Sequence, residues 1–148
     1  MGLFDSLEIS ATALTAERLR MDVTAENLAN AQTTRGANGG PYHRKEVVLQ
    51  QAAAGQNFGS QLQVAMRGAT DRPGGVQVAA ISEDATPNRM IYDPGHPDAN
   101  AQGYVAMPNV DSVTEMVDLI SSSRSYEANV TAMQASKQMF SKTLDLLK

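Results

Sequence analysis

The chain has 148 residues, with 12 Lys+Arg against 16 Asp+Glu and a formal charge of −4. That is one ordinary domain's length, without the basic surplus of a nucleic-acid binder. Cys and Trp are both absent, which excludes disulfide frameworks, thiolate metal sites and cysteine nucleophiles.

Aromatic residues make up 5% of the chain, and much of the 42% apolar fraction is alanine. Few large side chains are therefore available for a compact core. Mean hydropathy is −0.30 and the pI lies near 5.1. With no run of about 18 apolar residues, no transmembrane helix is expected. The opening MGLFDSLEIS places Asp5 and Glu8 where a secretory signal needs positive charge and then an apolar stretch. The default address is the cytoplasm, and a location beyond it needs a route without signal cleavage.

Helix breakers cluster. All 6 prolines and all but one of the 11 glycines lie within residues 36–108, leaving both ends free to run as long helices. In the first, Leu7, Leu14, Met21 and Leu28 recur every seven residues. Phe4, Ala11, Arg18 and Ala25 stand three residues before them, the seam spacing of a coiled coil. Asp5 and Ser6 are suitable caps. The spacing predicts a helix over Ser6–Ala31, roughly 39 Å long at 1.5 Å per residue.

The middle reads as strands and loops. Glu46–Leu49 is a short strand, and Gln61–Met66 alternates with Leu62, Val64 and Met66 on one face. Arg72-Pro73-Gly74-Gly75 is a turn signal, after which Val76-Gln77-Val78 restarts the alternation, so a hairpin is expected over 61–81. Arg89–Tyr92 is a further strand. Residues 93–103, with Pro94, Gly95, Pro97 and Gly103, read as an irregular loop.

The C-terminal zone has two heptad rows: Leu119, Tyr126, Met133, Phe140 and Leu147, and three residues earlier Met116, Ser123, Val130, Lys137 and Leu144. Pro108 breaks the chain before it. Ser112 and Glu115 have the S-x-x-E spacing of a capping box, which starts a helix over Val113–Leu147, roughly 52 Å long. The fold class is thus α+β: long N- and C-terminal helices pairing as a coiled-coil-like α domain, with a small β-rich central domain. The expected divisions are residues 1–32, 33–108 and 109–148.

Apolar side chains also lie off the seams, including Ile9, Ala13, Ala16 and Val23 on the first helix and Val113, Val117 and Ile120 on the second. One partner helix does not cover so wide a stripe, and burial is worth about 25 cal/mol per Å². A neighbouring subunit is the simplest cover, and a central domain folded back onto the helices is the alternative. Arg18, Ser123 and Lys137 are polar seam positions of the kind that set register or partner choice, unless their stems simply reach water.

Signals for chemistry are sparse. His43 and His96 are the only histidines, far apart and both among turn residues. No histidine pair with metal-ligand spacing, acidic metal loop, phosphate-binding glycine loop or nucleophile elbow occurs. His96-Pro97-Asp98 shares a tripeptide with the J domains of chaperone partners, but Asn100, Gly103 and the strand-like Tyr104-Val105 that follow are the wrong flanks. No catalytic residue, cofactor site or metal site is assigned.

Several blocks, in order, carry a resemblance. Leu14-Thr15-Ala16-Glu17-Arg18-Leu19-Arg20-Met21-Asp22-Val23 and Glu26-Asn27-Leu28-Ala29-Asn30-Ala31-Gln32-Thr33-Thr34 resemble the N-terminal signature of the bacterial flagellar axial proteins. Gly39-Gly40-Pro41-Tyr42-His43-Arg44-Lys45, Tyr92-Asp93-Pro94-Gly95-His96-Pro97-Asp98-Ala99 and Gly103–Val110 are similar to the C-type proximal rod members of that family. Glu115–Ile120 and Arg124–Val130 agree, and the match skips mainly 47–88.

The resemblance implies a structural subunit of the rod, the drive shaft of the basal body. Its terminal helices would pair in an inner α domain lining the central export channel. Its partners would be copies of itself, other rod proteins and the flagellar type III export apparatus, with no nucleic acid and no small-molecule substrate. It would leave the cytoplasm unfolded, without signal cleavage, and lie in the periplasm-spanning rod. Leu7, Leu14, Met21, Leu28, Leu119, Tyr126, Met133 and Phe140 are the candidate α-domain seam, and Ile9, Val23, Val117 and Ile120 the candidate intersubunit contacts. The competing readings are a cytosolic coiled-coil adaptor and, more remotely, a small enzyme using His43 or His96.

Overall fold

Freedom from Gly and Pro lets both ends propagate helix. A computed structural model of the chain describes residues 3–36, 39–52 and 74–145. Helix α1 spans Leu3–Ala29 and helix α2 spans Ser112–Asp145. Between them, in chain order, lie β1 (Lys45–Gln51), β2 (Val76–Glu83), β3 (Arg89–Tyr92) and β4 (Tyr104–Met107). The architecture is α+β, with two long terminal helices and short central strands. Among the described residues, no helix is long and apolar enough to cross a membrane.

The strands form two separate two-stranded sheets, β1–β2 and β3–β4. In the first, Ala52 N–H bonds Gly75 O at one end (3.0 Å) and Asp84 N–H bonds Arg44 O at the other (2.8 Å), so the strands run in opposite directions. The expected hairpin over 61–81 is therefore only partly visible. The restart at Val76 is β2, paired with β1, whereas Gln61–Met66 lies outside the described residues, as does Leu147. In the second sheet, Arg89 pairs with Met107, Ile91 with Val105 and Tyr92 with Tyr104. The irregular loop 93–103 is the connection of this hairpin, and the rings of Tyr92 and Tyr104 meet edge to face at 5.3 Å.

The chain divides into two compact units, and α1, β1, β2 and α2 each contribute to both. One unit holds residues 1–18, 49–79 and 124–148. There the Thr12 hydroxyl donates to Ile9 O (2.8 Å) and accepts the Val76 N–H (3.2 Å), seating the start of β2 on α1. Ser6 and Ser136 hydroxyls meet at 3.4 Å. The other unit holds 19–48 and 80–123, with Val23, Val47, Val105 and Val110 buried. Such slender apolar content gives polar contacts an unusual share in holding it.

One local expectation is corrected. Ser112 and Glu115 do not form a capping box. Asp111 caps α2: its carboxylate accepts the Val113 N–H (3.2 Å) and the Thr114 hydroxyl (2.8 Å), and its carbonyl accepts the Glu115 N–H (3.0 Å). Asp satisfies the orphan amides of a first turn as well as Ser does, and its charge suits the positive end of the helix. Glu115 is thereby freed to turn inward.

Candidate functional site: a polar clamp and an apolar stripe

Within the unit of residues 19–48 and 80–123, polar side chains are buried as deeply as Val105 and Pro108. Asn27 and Glu115 are each 1% exposed. An amide offers two donors and two lone pairs, and Asn27 uses all four. Its Nδ2 donates to Lys45 O (2.8 Å) and Glu115 Oε2 (3.0 Å), while its Oδ1 accepts the Lys45 N–H (2.9 Å) and the Tyr42 hydroxyl (2.9 Å). The residue thus stitches the last turns of α1 to the start of β1 and to the first turn of α2.

Glu115 is a buried carboxylate, a costly group unless paired and hydrogen-bonded. Arg44 Nε donates to its Oε1 at 2.6 Å, and that bond is the main reason the Arg44 pKa is raised. Arg44 Nη2 reaches Asp118 Oδ2 at 3.4 Å. The Arg44 backbone N–H bonds Asn109 Oδ1 (2.8 Å), and Asn109 Nδ2 bonds the Asp84 and Thr86 carbonyls. Burial, then the negative charge of Glu26, raises the Tyr42 pKa above 10.0. Lys45 pairs with Glu26 at 2.6 Å, chiefly through that hydrogen bond raising its own pKa.

This clamp is structural in its chemistry. The cleft beside it, about 210 Å³, is lined by Arg20, Arg44 and Lys45 against Glu46, Glu115 and Asp118, so no net charge is left to recruit an ionic ligand. Among the described residues, no group of three His, Cys, Asp or Glu is placed to hold a metal. His43 is exposed. His96 accepts the Asp98 N–H on Nδ1 (3.1 Å), while Asp98 receives the Thr34 hydroxyl (2.9 Å) and the Arg35 guanidinium (2.5 Å). The His-Pro-Asp tripeptide thus shapes a loop and ties it to the segment after α1.

The expected seam residues Leu7, Leu14, Met21, Leu28, Leu119, Tyr126 and Met133 are half-buried, and Phe140 is exposed. The deepest row on α2 stands elsewhere: Glu115, Ser122 and Ser136, one residue before the expected row of Met116, Ser123 and Lys137. Ile9 is half-buried. Val23 departs from its expected outward role: it is buried and lines the cleft beside Asn27. Val117 and Ile120 are exposed at 60% and 55%, joined by Val113 at 65% and Met116 at 45%. Their spacing of 113, 116, 117 and 120 is a heptad stripe, and it faces away from the chain's own core.

Sequence reasoning missed the clamp. Asn27, Tyr42 and Arg44 entered only inside resembling blocks, and Glu115 as a cap. The available signal was a carboxylate at Glu115 directly before the apolar pair Met116 and Val117.

Comparison with known proteins agrees with this architecture. Residues 7–37 match the family described as flagella basal body rod protein, and residues 101–146 match the C-terminal family of flagellar basal body rod FlgEFG proteins. The flagellar basal-body rod protein FlgC of Bacillus subtilis is 53% identical, covering 100% of both chains. FlgC of Salmonella typhimurium is 45% identical over 99% of this chain and 98% of its own. FlgC of Borreliella burgdorferi is 42% identical over 100% and 99%. Two long helices that satisfy each other's buried polar groups, a stripe left uncovered on one of them and relatives matched from end to end place the chain in the FlgC family of flagellar basal-body rod proteins.

Proposed function

We propose that this rod-family chain works in the flagellar basal body as a structural subunit, assembling with copies of itself and with other rod proteins through its terminal helices. The observation that carries the reading is the exposed stripe Val113, Met116, Val117 and Ile120 on α2. A contiguous apolar stripe at heptad spacing is costly to leave wet and is covered by a partner helix at little cost. A contact of this kind that does not close on itself builds a helical shaft. Torque then passes through interdigitated side chains, without catalysis, cofactor or small-molecule substrate.

In the same reading, residues 1–32 and 109–148 form the inner α domain through the seam of Leu7, Leu14, Met21, Leu28, Leu119, Tyr126, Met133 and Phe140, and 33–108 supply the outer part. The chain reaches the periplasm-spanning rod through the flagellar type III export apparatus, unfolded and without signal cleavage. Modest apolar burial suits a chain that completes its ordering only at a growing end.

The test is motility in a deletion strain complemented with Val117→Asp or Ile120→Asp. Both positions are exposed, so the isolated chain should keep its helix content by circular dichroism while swimming is lost. Normal swimming with both variants would sink the reading, and a discrete dimer that ignores other rod chains would favour the adaptor.

A further inference from the structure

The first three turns of α2 are oriented against their own amphipathicity. At about 100° per residue, Glu115, Asp118 and Ser122 lie on one side of the helix and Val113, Met116, Val117 and Ile120 on nearly the opposite one. A helix with this pattern would by hydrophobicity alone turn its apolar side inward and its carboxylates to water. Here Glu115 and Ser122 are buried at 1% and 2%, and the four apolar residues are 45–65% exposed.

We infer that Arg44 is the positioning residue that holds α2 in this inverted orientation and so keeps the apolar stripe outward. One guanidinium engages two carboxylates a helical turn apart, Glu115 at 2.6 Å and Asp118 at 3.4 Å, which constrains rotation about the helix axis as a single contact would not. Arg44 is itself anchored through its backbone N–H to Asn109, just ahead of the helix. Asn27 adds a second hold on Glu115 from α1. Without Arg44, a lone carboxylate would be left buried, and both that penalty and the exposed stripe would drive the same rotation. The use of the outward stripe rests on the assembly reading above; the rotation itself does not.

The chain has no cysteine, so single thiols report cleanly. Val117→Cys and Ser122→Cys would be labelled with a maleimide in the native, Arg44→Lys and Arg44→Met backgrounds, with helicity checked by circular dichroism. In the native background, Val117→Cys should react about tenfold or more faster than Ser122→Cys. Arg44→Met should slow Val117→Cys severalfold while speeding Ser122→Cys, with Arg44→Lys between. Mere loosening would speed Ser122→Cys and leave Val117→Cys unchanged, and that outcome overturns the inference. Should Arg44→Met lose its helicity, the Arg44→Lys pair decides by the same reciprocal criterion. A reciprocal change combined with normal swimming of Val117→Asp would uphold the positioning role and overturn the assembly reading instead.

Discussion

Asn27 and Glu115 stand 88 residues apart in sequence and meet through a buried hydrogen bond of 3.0 Å. Neither group is satisfied until the helix from the other end of the chain is in place. With the Tyr42–Lys45 segment bonded to the same two residues, three distant pieces of chain complete one another.

That closure makes Asn27 the most sensitive polar position of its unit. Asn27→Leu removes four hydrogen bonds and strands the Lys45 backbone, the Tyr42 hydroxyl and one oxygen of Glu115. The expected cost is about 2–4 kcal/mol, read from denaturant unfolding. Asn27→Asp should be worse despite its shape, because it removes both donors and faces a second carboxylate. Equal stability of Asn27→Asp and the parent chain would contradict the hydrogen-bond assignment.

Tyr42 gives the clamp an alkaline limit. Burial and Glu26 raise its pKa above the ordinary 10.0, so the neutral phenol is favoured in the folded chain. Its contribution is complete below that ordinary value and is lost as pH climbs through the raised one. Ultraviolet titration should show a tyrosine step above that ordinary value, and Tyr42→Phe should remove that step at a cost of about 1 kcal/mol.

The start of α2 should be sensitive to acid. The Thr114 hydroxyl, then the Val113 N–H, holds the Asp111 pKa below 3.8. A lowered folded pKa means the cap is fully effective above the ordinary carboxylate value and fails as pH falls through the depressed one. Amide protection at Val113 and Thr114, relative to the intrinsic exchange rate at each pH, should fall in that window. Asp111→Asn should abolish the pH dependence while keeping the cap, and persistence of the acid step in that variant would assign it to another group.

Gly75 is the tight point of the other unit. Its φ is +75°, and a Cβ there would overlap the Thr12 hydroxyl oxygen. Gly75→Ala should destabilise the start of β2 by about 1–3 kcal/mol, visible as faster exchange at Val76. Adding Thr12→Ala relieves the overlap but not the φ strain, so the double variant should cost less than the sum of the singles.

Helices were legible from the sequence because breakers are confined to the middle; each begins and ends within a few residues of its expected bounds. Strands β1 and β3 were legible as short runs of strand-forming residues and the start of β2 from its alternation, whereas β4 showed only as the strand-like Tyr104-Val105. The pairing of β2 with β1 was not, since strand partners depend on contacts between distant residues. The deepest row of α2 was not legible for a specific reason: heptad counting looks for apolar rows, and here Glu115 and Ser122 lie deepest, because Arg44 and Asn27 supply what a carboxylate needs. A pattern rule has no means of seeing a partner that arrives from residue 44. Position off the seam did not settle exposure either: Val117 and Ile120 are exposed, whereas Ala16 and Val23, equally off the seam, are buried.

The two opposed faces of α2 leave its first turns little tolerance for changes of length. Deleting one residue between Glu115 and Ile120 turns everything downstream by about 100°, swinging Ser122 out of its buried place and splitting the apolar residues between two sides. Point substitutions there can be conservative in size or charge, but insertions and deletions cannot. Natural variation in chain length among members of this family should therefore be found in the connecting segments, with the spacing from Asn109 to Ser122 held constant.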